Sequence, residues 1–113
     1  MKLLTAALAA VISFTLVAVL RAEDKAARGK QVFEEQKCKI CHRIDGVGNP
    51  KGVLDDVGSK HDAETLRMWL TKPQEMAKKA GATRKPPMRS FEKVPKEDLD
   101  ALIAYLSTLK KKS

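Results

Sequence analysis

The sequence predicts an all-α domain: about four short helices, joined by long loops that wrap a bound group. Three observations carry this. Apolar residues recur at helical spacing in several separate stretches, and no stretch is rich in β-formers. The connecting segments are long and punctuated by glycine and proline, out of proportion for an ordinary chain of 113 residues unless something fills its middle. Finally, Cys38-Lys39-Ile40-Cys41-His42 gathers two thiols and an imidazole within one short turn.

That third pattern is the attachment signature of c-type haem. The two thiols add across the porphyrin vinyl groups and become thioethers. Two intervening residues let a single turn present both sulfurs, and the adjacent imidazole faces the iron. No other cysteine competes for the role. A thioredoxin-like redox pair uses the same spacing but belongs at a strand-to-helix junction of a larger α/β domain. A structural zinc site needs two more ligands at paired spacing, and His61 is the one further histidine. A disulfide across two residues is geometrically poor. Haem is therefore the reading the residues favour.

Length allows one domain, with a limited core of its own. Aromatic residues are few: Trp69, Tyr105, Phe14, Phe33 and Phe91. A haem supplies the apolar centre that this inventory lacks. Residues 1–22 read as a targeting segment, either a cleaved signal peptide or a retained N-terminal membrane anchor. Lys2 precedes an uncharged apolar run from Leu3 to Leu20, and a cut after Ala22 would leave Leu20 at the third-last position, where a small residue is expected. The run is also long enough to span a bilayer. Both readings place the domain, residues 23–113, outside the cytoplasm, in the periplasm or an equivalent compartment, with the inner membrane as the site of any anchor. The formal charge is +8, and +6 without Lys2 and Arg21. An exported protein has no use for nucleic acid, so this balance points to acidic redox proteins as partners or to plain solubility.

Taken in order, Glu23 to Gln36 reads as the first helix, with Asp24 as its cap and Ala26, Gly29, Val32, Phe33 and Gln36 on its apolar stripe. Gly29, a poor helix former, implies close approach of another backbone. Arg43 to His61 reads as loop, with Leu54 and Val57 turned inward and a carbonyl that receives the N–H of His42. Asp62 caps a helix to Thr71, with Leu66, Trp69 and Leu70 on its inner face. Pro73 opens another helix to Ala80, and Gly81 ends it. Gln74, Glu75, Lys78 and Lys79 read as solvated. Ala82 to Val94 is extended, because Pro86 and Pro87 forbid a helix just before Met88. Pro95, at the first position, opens the last helix, which runs to Leu109 with Leu99, Leu102, Ile103 and Leu106 inward.

These residues resemble class I monohaem cytochromes c of the bacterial type. The likeness spans roughly Lys25 to Leu109. It rests on Gly29 and Phe33, Cys38/Cys41/His42, the Pro86-Pro87-Met88 segment, and Leu102 to Leu106. It implies the cytochrome c fold, with one haem c bound covalently through Cys38 and Cys41. It also implies that the first and last helices cross at Gly29, bringing Gly29 and Phe33 against Leu102, Tyr105 and Leu106, and that Trp69 packs near the haem edge. Two departures stand out. Arg89 replaces the proline that often follows the family's ligand methionine. No Gly-Pro precedes Leu54, so the carbonyl behind His42 falls anywhere from Pro50 to Val53.

With His42 as one axial ligand, the candidates for the other are Met68, Met76, Met88 and His61. Met88 has the rigid backbone and matches the family position, so cofactor binding is assigned to Cys38, Cys41, His42 and Met88, and iron ligation to His42 and Met88. An iron closed on both faces suits one-electron transfer between extracytoplasmic redox proteins, a reductase donor and an oxidase or reductase acceptor, by a protein that is monomeric and not itself an enzyme. A tether through residues 3–20 is compatible with this. Lys30, Lys37, Lys39 and Arg43 form a candidate basic rim. The alternatives are a haem-based ligand-binding or sensor module and a haem subunit of a larger oxidoreductase.

Overall fold

The computed structural model describes residues 21–111, and the apolar run expected to act as signal or anchor lies outside them. Among the described residues no helix is long and apolar enough to cross a membrane. Among the described residues, helix α1 covers 21–35. Asp24 therefore lies inside the helix and does not cap it. Of the expected stripe, Gly29, Val32 and Phe33 are buried, whereas Ala26 and Gln36 are half-buried.

A left-handed Lys37 ends this stretch and leads into a 3-10 turn, Cys38–Ile40. The segment expected to be irregular holds more structure than anticipated. Strands β1 (Arg43–Ile44) and β2 (Val47–Gly48) form a small antiparallel hairpin, pairing Arg43 with Gly48 and Ile44 with Val47. Asp45 and Gly46 both take positive φ at its tip. That is the turn geometry an Asp-Gly pair favours, and it explains why so short a hairpin forms. A 3-10 turn, Pro50–Gly52, follows, and then helix α2 (Val57–Lys60).

Helices α3 (Ala63–Thr71) and α4 (Pro73–Ala80) match their expected bounds. The Asp62 carboxylate accepts the Thr65 amide at 2.8 Å, and Gly81 closes α4 in the left-handed region. Helix α5 (Lys96–Ser107) starts one residue later and ends two residues earlier than expected. Pro95 is extended, with ψ 140°, and stands before the helix.

The core joins α1, α3 and α5 through Val32, Phe33, Leu66, Leu70, Leu102 and Leu106. The helix crossing explains Gly29: a Cβ there would run into the Ala101 carbonyl and lie 2.6 Å from Tyr105 Cβ. Phe33 meets the Tyr105 ring edge-on at 6.0 Å between centroids. Between α4 and α5 the chain forms no helix, as predicted, but it is not extended throughout: it bends at Lys85-Pro86 and turns at Glu92-Lys93, where the Val94 amide donates to the Phe91 carbonyl at 3.0 Å. It is pinned to α3 where the Phe91 amide donates to the Leu70 carbonyl at 2.7 Å and the Ser90 hydroxyl to the Thr71 carbonyl at 2.9 Å.

Candidate functional site

The chain folds around a cavity of about 340 Å³, within the size range of small-molecule and cofactor sites. Phe33, Leu54, Leu66, Trp69, Leu70 and Leu102 supply much of its wall. The four residues singled out from the sequence, Cys38, Cys41, His42 and Met88, all line it, although 50 positions separate the first from the last along the chain. Of the other candidates for the second axial position, His61 also borders the cavity, whereas Met68 and Met76 do not. Leu54 and Val57 face inward as expected.

Each side chain is placed by a local cause. Cys38 and Cys41 are held by the 3-10 turn, in which the Cys41 and His42 amides both donate to the Cys38 carbonyl, at 3.1 and 2.9 Å. Both thiols are free, Cys38 half-buried and Cys41 exposed. Burial pushes the Cys38 thiol up to about 11, and the charge of Arg89 offsets part of that.

His42 is oriented from behind. Its Nδ1 lies 3.1 Å from the Gly52 carbonyl. A carbonyl can only accept, so Nδ1 carries the proton and Nε2 keeps its lone pair for a metal. Gly52 falls inside the window expected for this contact. Burial lowers the His42 pKa, the Gly52 bond opposes it, and the nearby Arg84 charge lowers it further. The ring is thus neutral and ready to ligate at neutral pH. Gly52 itself is required: a Cβ there would strike the Cys41 carbonyl and come within 2.8 Å of His42 Nδ1.

Met88 is presented by the Pro86-Pro87 segment and packs against the core. Of two further residues, Arg84 escaped the sequence reading and Arg89 entered it only as a departure after Met88. Arg84, four positions before Met88, is the one Lys, Arg, Asp or Glu side chain that lines the cavity among the described residues. Arg89 donates through Nη2 to the Gln36 carbonyl at 2.9 Å. Neither carries a spacing signal, since an arginine in a loop looks like any solvated cation.

This donor set fits a covalently held haem. The wall is apolar, as a porphyrin face demands. Two thiols stand at a spacing that matches adjacent vinyl groups, an imidazole is fixed in the ligating tautomer, and a thioether borders the same space. A bare-ion site does not fit, for among the described residues no three His, Cys, Asp or Glu side chains come together as a metal-binding group.

A family model described as Cytochrome c matches residues 26–110. The chain is 34% identical over 97 residues to a protein named cytochrome c oxidase subunit 2 from Alkalihalophilus pseudofirmus, an alignment covering 78% of this chain and 27% of that protein. The chain thus spans about a quarter of that relative's length. No solved structure matches it.

Proposed function

The chain belongs to the cytochrome c family, and on that premise we propose that it is a one-electron carrier whose haem iron is ligated by His42 and Met88. The observation that carries the proposal is that both residues line one apolar cavity together with Cys38 and Cys41. The haem supplies the ferric/ferrous couple, and a His/Met ligand pair raises its potential relative to two imidazoles.

The chain's own residues do the rest. Cys38 and Cys41 fix the porphyrin in place as thioethers. The Gly52 carbonyl holds the His42 ring so that Nε2 would be free to ligate the iron. Met88 would hold the iron from the same cavity and would keep water and external ligands away from it. Arg84 would offer a positive charge to a porphyrin carboxylate, which an otherwise apolar wall would leave unpaired. With no open coordination position, substrate chemistry at the iron is blocked and electron exchange through the haem edge remains.

The partners are redox proteins, and the working place is outside the cytoplasm. The relative's name favours one second reading. It is an oxidase subunit of which this chain matches a part, so the carrier's acceptor is an oxidase, reached by diffusion or by a standing association with it.

The test is optical. The ferric protein should show the near-infrared charge-transfer band of a sulfur-ligated iron, and Met88→Ala should abolish it. Persistence of the band in Met88→Ala, or its absence from the unmodified protein, overturns the ligand assignment. In the second case His61 becomes the candidate.

A further inference from the structure

Met88 sits on a segment with no regular structure, and two prolines on its N-terminal side restrict the backbone from one direction only. On the other side the next residue is Arg89, and its side chain is tied down in two ways. Nη2 donates to the Gln36 carbonyl at 2.9 Å and lies 3.3 Å from the Gln36 Oε1. The guanidinium carbon stands 4.5 Å from the centroid of the Phe91 ring.

Both anchors are fixed. Gln36 follows the last residue of α1, where helix carbonyls lack intrahelical partners and the helix dipole presents its negative end. A cationic donor is well matched to that position. Gln36 is also two residues before Cys38, on the segment that carries the attachment turn. Phe91 is 6% exposed, and its amide is bonded to Leu70. The guanidinium therefore spans from the end of α1 to the chain just beyond Met88. It joins the segment bearing the thioether to the segment bearing the thiols, across 53 positions of sequence.

We propose that Arg89 is a positioning residue that holds the Met88 sulfur against the iron, acting through the Gln36 carbonyl and the Phe91 ring. This rests on Met88 as the second axial ligand. A planar guanidinium can donate along its edge and stack on a ring at the same time; an ammonium supplies the charge without the plane.

The experiment measures imidazole binding to the full-length ferric holoprotein, in which an iron–nitrogen bond forms as the iron–sulfur bond breaks. A charge-assisted hydrogen bond to a carbonyl is strong enough to shift such an exchange by about tenfold. Arg89→Gln should bind imidazole about tenfold more tightly than the unmodified protein, and Arg89→Lys should fall between the two. Phe91→Leu, which keeps an apolar side chain, should also tighten imidazole binding.

Met88→Ala, measured alongside, separates this inference from the one beneath it. If Met88→Ala leaves both the near-infrared band and the imidazole affinity unchanged, the ligand assignment fails and this inference with it. If Met88→Ala abolishes the band while Arg89→Gln binds imidazole no more tightly than the unmodified protein, the ligand assignment stands and the role of Arg89 is refuted. Imidazole binding no tighter than the unmodified protein's in both Arg89→Lys and Phe91→Leu refutes the stacking component.

Discussion

Gly52 meets two demands at once. Its carbonyl must reach His42 Nδ1, and its α-carbon must pass close beneath the Cys41 carbonyl. Gly52→Ala should therefore destabilise the holoprotein by about 2 kcal/mol, the range for forcing a group into packed space, read as a lower denaturant midpoint. Gly29→Ala should cost a similar amount, again about 2 kcal/mol, because the Ala101 carbonyl it would strike is backbone and cannot rotate away. At this scale the sequence was informative wherever chemistry constrains identity. The need for a small residue at Gly29 could be read from it, and the four residues it singled out, Cys38, Cys41, His42 and Met88, border one cavity. The carbonyl behind His42 was confined to four positions and fell within them. Arg84 and Arg89 were opaque, because what distinguishes them from other cations is a contact with residues far along the chain.

Capping decides the bounds of the elements. Asp62 holds the start of α3 by accepting the Thr65 amide, and that bond holds its carboxyl below the ordinary value of 3.8. Asp100, bonded to Arg67 on α3, is lowered from 3.8 in the same direction. A carboxylate with a depressed folded pKa stabilises the fold above its unfolded pKa, and that contribution is lost as pH falls through the folded value. Denaturant midpoints should thus fall as pH drops below about 4. Asp62→Asn and Asp100→Asn should show a shallower decline than the unmodified protein. An unchanged acid limb in both variants contradicts the linkage.

Helices α3 and α4 were legible because Asp62, Pro73 and Gly81 mark their ends locally. Asp24 was misread as a cap because an aspartate is equally at home on the exposed face of a helix. Pro95 was misplaced by one residue because proline suits both the first helical position and the extended residue before it. The β1–β2 hairpin was missed although Asp45-Gly46 is a strong turn signal. Two-residue strands leave no alternation to notice.

For the molecule as a whole, the haem is part of the core. Phe33, Leu66, Leu70 and Leu102 belong both to the buried cluster and to the cavity wall. A Cys38→Ala, Cys41→Ala double variant, unable to hold haem covalently, should lose helical circular dichroism and cooperative unfolding, since a core this small cannot spare its centre. The basic surface has a separate role. Lys30 and Lys37 are exposed near the attachment turn, whereas Lys39 is engaged by Glu34 at 3.4 Å and the Arg43 Nε is enclosed without a partner among the described residues. The rim suggested by the sequence is therefore thinner than four charges. Steering should show as a modest fall in reduction rate by an acidic partner as ionic strength rises, and no fall means that the charge serves solubility alone.

The central claim is that the iron is closed on both faces by this chain's own side chains, which makes the protein a carrier. Carbon monoxide added to the ferrous holoprotein at neutral pH tests it most directly. The visible spectrum should stay unchanged for the unmodified protein, and Met88→Ala should bind the gas. Ready binding by the unmodified protein would contradict the closed shell and favour a ligand-binding module.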